Sequence, residues 1–172
     1  MEDIIINLFL FVACACDICL SLLSIIKGRR EDGSISFALC CLFVGLWTLG
    51  IMMFRLSNNL SFAYFWNQEF IFTSGLIAST FLHFVLCFTK NSVSFLKKLI
   101  LYLPNIIIFV LLLLPGTFIK EIVMRDWGKE SILGNAYLFF GIYFAAYMGS
   151  AAILLYVNFR RSKGIRKLQL QY

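Results

Sequence analysis

Ionisable and amide side chains inside long apolar runs are the residues of this sequence with the greatest potential for chemistry. Asp17 lies near the middle of the run 4–26, and His83 lies in the second half of the run 66–89. Such groups are costly in hydrocarbon, so they usually face the interior of a helix bundle or a water-filled cavity. The sequence therefore predicts a polar cavity, with Asp17, Trp66, Glu69, His83 and Asn105 as its candidate residues.

Several of these residues also have a purely structural interpretation. His83 is compatible with a hydrogen bond between helices. Asp17 has two interpretations, a structural role or a place in a functional cavity. In the cavity, Asn105 would be its partner. Arg55 and Glu69 lie near the ends of two successive runs joined by a short link. They are placed either to form an ion pair or to remain solvated at the membrane surface.

The cysteines invite a metal interpretation that helix geometry disfavours. Six lie inside the apolar runs, as Cys14, Cys16, Cys19, Cys40, Cys41 and Cys87. On a helix, residues two apart point to nearly opposite faces, so packing against other helices is the better explanation. The sequence also has one histidine, no glycine-rich phosphate loop and no pair of carboxylates on one helix. It predicts no metal site, no cofactor and no catalytic activity of the chain alone.

The composition indicates that the apolar runs lie in lipid. Of the 172 residues, 61% are hydrophobic and 14% are charged, against about 45–50% and 25% in a typical soluble domain. A helix of roughly 20 apolar residues crosses the hydrocarbon and satisfies its own backbone groups. We predict an all-α, polytopic transmembrane bundle, one domain over 1–172, with about five spans at 4–26, 35–54, 66–89, 99–115 and 137–159.

The basic residues predict the orientation of the bundle. Eleven of the 15 lie on one side of the predicted spans: Lys27, Arg29, Arg30, Lys90, Lys97, Lys98, Arg160, Arg161, Lys163, Arg166 and Lys167. Four lie on the other side: Arg55, Lys120, Arg125 and Lys129. Because short cytoplasmic loops carry the excess of Lys and Arg, the N-terminus is predicted outside and the C-terminus in the cytoplasm. This bias and anionic lipid account for the net charge of +6 without a nucleic-acid partner.

The segment 116–136, between the fourth and fifth runs, has a mixed composition. Its apolar residues 118, 119 and 122–124 fit helical spacing, with charged residues opposite. We therefore expect a short amphipathic helix on the outer membrane surface, with Trp127 at the level of the headgroups. Such a helix would be either a lid over an outward-facing cavity or an ordinary connector.

Small residues recur at intervals of four in the fifth run, at Gly141, Ala145 and Gly149. Such a stripe allows another helix to approach closely. It is compatible with a dimer or signalling interface and equally with packing inside the bundle.

Aromatic and glycine motifs also occur in a characteristic order along the chain. They are Leu-Trp-Thr-Leu-Gly at 46–50, Trp66, the aromatic segment 81–89, Asp-Trp-Gly at 126–128, Gly-Asn-Ala-Tyr at 134–137 and the tail 164–172. In this order and spacing they resemble the N-terminal seven-transmembrane region of bacterial histidine kinases. The resemblance covers about the whole chain.

The resemblance implies a sensory input module of the bacterial plasma membrane. It would pass a small-molecule, lipid or peptide stimulus to a cytoplasmic output domain, as a homodimer of the full-length protein. Two further spans would follow, so we expect the chain to be incomplete at its C-terminus, with 160–172 as a cytoplasmic tail. The alternative, a fragment or subunit of a transporter or channel, predicts inverted repeats or matching broken helices, which the sequence does not show.

Overall fold

Five long helices and one β-hairpin make up the described part of the chain. The computed structural model describes residues 2–28, 31–90, 93–126 and 128–161. The elements are α1 (Glu2–Lys27), α2 (Asp32–Leu56), α3 (Leu60–Lys90), α4 (Phe95–Leu113), β1 (Ile119–Arg125), β2 (Gly128–Leu133) and α5 (Ala136–Arg161). Each helix is long and apolar enough to cross a membrane, which confirms the predicted helix bundle. Its orientation stays a prediction, and the end predicted to face outward is called the outer end.

Helix α3 is the longest element and the one against which most others pack. It contacts α2, α4, α5 and β1, whereas α1 packs mainly against α2. Gly33 lies opposite Cys87 near one end of the α2–α3 interface, and Gly50 lies opposite Phe70 near the other. The two helices therefore pack closely along most of their length, because glycine allows their backbones to approach.

The N-terminus of α3 is set by an asparagine. The helix begins at Leu60, about one and a half turns before the span predicted from residue 66. The Asn59 side-chain oxygen accepts a hydrogen bond from the Ser61 amide at 2.8 Å, as is typical of a helix cap. The earlier start extends α3 to the outer end, where it meets the hairpin.

Two apolar clusters surround α3. The outer cluster consists of Ile71, Ile108, Leu112, Phe118, Ile119 and Phe140. The inner cluster consists of Leu82, Val85, Leu101 and Ala151. Away from these clusters many large apolar side chains are exposed, such as Phe9 at 72% and Phe95 at 77%. Exposure of this kind is expected where a helix faces lipid tails.

The segment between α4 and α5 is a β-hairpin, so the predicted surface helix is wrong. Strands β1 and β2 pair antiparallel from Ile119 opposite Leu133 to Arg125 opposite Gly128. Gly128 has φ of +127°, a conformation that favours glycine, at the turn between the strands. The β-branched residues of β1 are favoured in strands.

The burial of individual residues explains why the apolar spacing in the segment 116–136 wrongly predicted a helix. Phe118 and Ile119 are 2% and 1% exposed and belong to the outer cluster. Met124, assigned to the same apolar face, is 66% exposed. The beginning of the segment 116–136 is therefore buried against α3, and the turn of the hairpin lies outside the core. Trp127, predicted at the headgroup level, lies outside the described residues, as do residues 162–172 of the predicted tail.

Replacing Gly128 with alanine tests the hairpin turn. Gly128→Ala places a Cβ on a backbone with φ of +127°, which costs a non-glycine residue about 1–3 kcal/mol. We expect a lower melting temperature for the purified protein in detergent. Lys120→Ala, at an exposed position of the same hairpin, is the control. Equal melting temperatures for the two variants would contradict the turn.

Candidate functional site

One face of α3 meets polar side chains from two other helices near the middle of the bundle. Gly75, Ser79 and His83 follow one another at intervals of four residues and so share a face of α3. Together with the residues that they meet, they form the polar layer, which consists of Gly75, Ser79, His83, Tyr102, Asn105, Tyr143 and Tyr147. Its Tyr143 packs against the outer apolar cluster, and its Tyr102 and Tyr147 pack against the inner one.

The centre of the polar layer is a hydrogen-bonded junction between α3, α4 and α5. Asn105 Nδ2 donates to Ser79 Oγ at 2.5 Å, and the Ser79 and Tyr143 hydroxyl oxygens are 2.6 Å apart. The Tyr143 hydroxyl lies 2.8 Å from the Gly75 carbonyl oxygen and 3.3 Å from Asn105 Oδ1.

Proton counting gives this junction a consistent direction. Each hydroxyl has one proton to donate. One assignment that satisfies this rule has Asn105 donating to Ser79, Ser79 to Tyr143, and Tyr143 to the Gly75 carbonyl. The Leu101 carbonyl, 3.5 Å from Ser79 Oγ, is a second acceptor for the Ser79 proton. Asn105 Oδ1 remains as a second acceptor within reach of the Tyr143 hydroxyl. A single chain of hydrogen bonds thus connects the three helices.

The Leu101 carbonyl of α4 gives α5 a second hydrogen-bond acceptor. Pro104 lies inside the helix and has no amide proton for the Ile100 carbonyl, four residues earlier. The adjacent Leu101 carbonyl oxygen accepts a hydrogen bond from the Tyr147 hydroxyl at 3.0 Å. Tyr143 and Tyr147 therefore join α5 to α3 and α4 at two levels.

His83 extends the polar layer towards the inner end. Its Nδ1 atom is 3.0 Å from the Tyr102 hydroxyl, and the two rings meet edge to face. His83 is 7% exposed. Its Nε2 has no hydrogen-bond partner among the described residues. His83 therefore forms a hydrogen bond between α3 and α4 through Nδ1, and this bond does not use Nε2.

Of the five predicted cavity residues, the structure brings His83 and Asn105 into the polar layer. Asp17 is half-buried on α1 and lies beside Gly45 of α2. A Cβ atom placed on Gly45 would be 3.4 Å from the Cβ atom of Asp17. Trp66 is half-buried on α3 and packs edge-on against the preceding phenylalanine ring. These two residues do not share a cluster with the polar layer.

Glu69 lies at the outer half of the α2–α3 interface. Its half-buried carboxylate packs against Gly50, and its Oε2 atom has no hydrogen-bond partner in the described part of the chain. Arg55 is in the last turn of α2, five residues after Gly50. The ion pair between Arg55 and Glu69 stays a prediction.

The side chain of Lys129 in the hairpin caps the C-terminus of α2 at the outer end. Its ammonium group donates to the carbonyl oxygens of Phe54 at 2.6 Å, Arg55 at 3.0 Å and Ser57. A cation at a helix C-terminus is stabilised by the unsatisfied carbonyls there. Burial, and then the positive charge of Arg55, lower the pKa of Lys129. The hairpin is thus hydrogen-bonded to α2 as well as packed on α3.

Comparison with family models decides which family this bundle represents. The model described as the N-terminal 7TM region of histidine kinase matches residues 9–171. The chain belongs to this family. Comparisons with curated proteins and with solved structures gave no match. The family match includes the whole polar layer, and it confirms the resemblance seen in the aromatic and glycine motifs.

Sequence reasoning missed most of the polar layer of this 7TM region. The missed residues are Gly75, Ser79, Tyr102, Tyr143 and Tyr147. A usable signal was the interval of four between Ser79 and His83 on one helix and between Tyr143 and Tyr147 on another. Serine and tyrosine are unremarkable in a membrane span one at a time, so only a comparison of helix faces would have found them.

Removing the Tyr143 hydroxyl group tests the hydrogen-bonded junction between α3, α4 and α5. Tyr143→Phe removes the proton given to the Gly75 carbonyl and the acceptor used by Ser79. We expect the free energy of unfolding in mixed detergent micelles to fall by about 1 kcal/mol, as for other hydrogen bonds between membrane helices. Tyr156→Phe is the control, because Tyr156 is 58% exposed and the hydrogen bond that its hydroxyl accepts comes from Arg160 of the same helix. An equal effect of both substitutions would show that the junction does not stabilise the bundle.

Proposed function

We propose that this chain is the sensory input module of a histidine kinase-type signalling protein in the bacterial plasma membrane. In this role it passes a stimulus to a cytoplasmic output domain. The family match over residues 9–171 supports the assignment. The observation that carries the mechanism is the junction that joins α5, the last described helix, to α3 and α4 through Tyr143.

A stimulus acts on such a module by favouring one of two helix arrangements over the other. The Tyr143 hydroxyl has two acceptors within reach, the Gly75 carbonyl on α3 and Asn105 Oδ1 on α4. A small rotation of α5 exchanges one acceptor for the other. Because α5 continues to Arg161 at the inner end, we propose that this exchange moves the helix end that leads to the output domain.

The full-length protein with its output domain, in native membranes, tests this mechanism. We expect Tyr143→Phe and Asn105→Ala each to change the basal output, measured as autophosphorylation, by about five-fold, since a change of 1 kcal/mol in the balance of states has this effect. Tyr156→Phe should leave it unchanged. Basal and stimulated outputs equal to wild type in both junction variants, at equal membrane levels, would contradict the mechanism.

We further propose that the full-length protein forms a homodimer in the lipid bilayer through the small-residue stripe of α5. Gly141 and Ala145 are exposed and Gly149 is half-buried. A Cβ built on Gly141 or Gly149 meets nothing within 4 Å in the described part of the chain. A flat surface of this kind supports close approach of a second helix.

A bulky residue on the stripe tests the dimer. Gly141→Leu should weaken association by about ten-fold, because it holds the two backbones apart. The measurement is energy transfer between labelled full-length copies in vesicles at increasing dilution. Ser150→Leu, exposed on another face of α5, is the matched control. If both variants associate like wild type, the stripe is not the interface.

A further inference from the structure

A groove opens between α3 and α4 near the outer end, in the part of both helices that is apolar enough to span a membrane. Its volume is about 290 Å³, near the lower end of the range for ligand pockets. Phe65, Phe109 and Leu113 line it and are 57%, 47% and 64% exposed, so the groove is open on the side that faces lipid. This outer groove shares no residue with the polar layer.

Three phenylalanine rings form much of the wall of the outer groove. Phe65 and Phe72 are seven residues apart and share a face of α3, and Phe109 meets them from α4. The ring centroids of Phe72 and Phe109 are 5.3 Å apart, with the planes inclined by 53°. The face of an aromatic ring attracts a cation. The wall therefore suits an apolar or a cationic organic group and disfavours an anion.

Glu69 supplies a carboxyl group to the outer groove. It lies on the side nearest α2, and its buried Oε2 atom has no hydrogen-bond partner in the described part of the chain. No basic side chain is among the described residues that line the groove. The nearby ammonium group of Lys129 is already hydrogen-bonded to carbonyls at the end of α2. A carboxylate at membrane depth is costly without a partner, so the groove favours a ligand that brings a cation.

The end of α4 adds partial negative charge at the same place. The helix ends at Leu113 and has no basic residue in its last turn. Unsatisfied carbonyls at a helix C-terminus carry about half a negative charge and favour cations. The Leu112 carbonyl accepts a hydrogen bond from Gln68 Nε2 at 2.5 Å, which leaves the Gln68 amide oxygen as a further acceptor. The polar groups around the groove therefore consist mainly of hydrogen-bond acceptors.

We infer that the outer groove binds a small organic ammonium ion with an apolar body. The ammonium group donates to the Glu69 carboxylate beside the end of α4, and the rings of Phe65, Phe72 and Phe109 contact the body. A neutral apolar molecule would match the rings and leave the carboxylate without a partner, and an anion would be repelled by it. Such a site goes beyond the proposed sensory role, because its occupancy is measured without any signalling output.

Binding of radiolabelled phenethylammonium to the purified protein in phosphatidylcholine nanodiscs tests the site. This ion is compact, aromatic and cationic at neutral pH, and the zwitterionic lipid limits adsorption of cations to the membrane. Propylbenzene, in which a methyl group replaces the ammonium group, is the neutral competitor. We expect unlabelled phenethylammonium to displace the label about ten-fold more effectively than propylbenzene.

Substitutions locate the binding in the outer groove. Glu69→Gln removes the charge at nearly constant shape and should weaken phenethylammonium binding by about ten-fold. Glu121→Gln, at an exposed position of the hairpin, is its control and should leave binding unchanged. Phe109→Leu removes one ring and should weaken binding by about five-fold. Its control is Phe139→Leu, since Phe139 lies on α5 and is 72% exposed.

Three outcomes would overturn the inference. The first is no saturable binding of phenethylammonium above that of empty nanodiscs. The second is displacement by propylbenzene as effective as that by unlabelled phenethylammonium, which would show an apolar site without preference for a cation. The third is binding to Glu69→Gln and Phe109→Leu as tight as to their controls. If Glu69→Gln lowers the melting temperature, Phe109→Leu decides this comparison, because leucine keeps an apolar side chain at a half-exposed position.

Discussion

Hydrogen bonding between α3 and its neighbours is the constraint on which the rest of this bundle depends. In lipid, apolar side chains gain little by leaving acyl chains for another helix, so packing and hydrogen bonds must hold helices together. Ser79 is fully buried and hydrogen-bonds to Asn105 of α4 and Tyr143 of α5. Because these partners lie at one level, they fix the relative depth of three helices at once. The apolar clusters on either side then have a defined register in which to pack.

The hairpin completes this arrangement at the outer end. Phe118 and Ile119 enter the outer cluster, Lys129 satisfies the last carbonyls of α2, and Asn67 of α3 donates to Ser131 of β2. The hairpin therefore contacts both helices of the most extensive interface in the bundle, between α2 and α3.

The hairpin and the polar layer are connected through α2 and α3. Lys129 of the hairpin is hydrogen-bonded to the end of α2, and α2 packs along α3, which carries Gly75 and Ser79. Packed interfaces tend to have discrete arrangements and not continuous ones. A stimulus that moves the hairpin against α2 would therefore have a physical route to the junction of α3, α4 and α5.

The sequence by itself determined the five spans, because a run of about 20 apolar residues has few alternatives to a membrane helix. It also identified the buried His83 and Asn105, because polar residues in such runs tend to face the interior. Only the tertiary structure decided that Tyr102 is the partner of His83 and that Ser79 and Tyr143 are the partners of Asn105. It also decided that residues 119–133 form a hairpin. Contacts between helices depend on the rotation and depth of each one, and these are set by packing across the whole bundle. In the hairpin, the same apolar spacing fitted two conformations, and burial against α3 selected the strand.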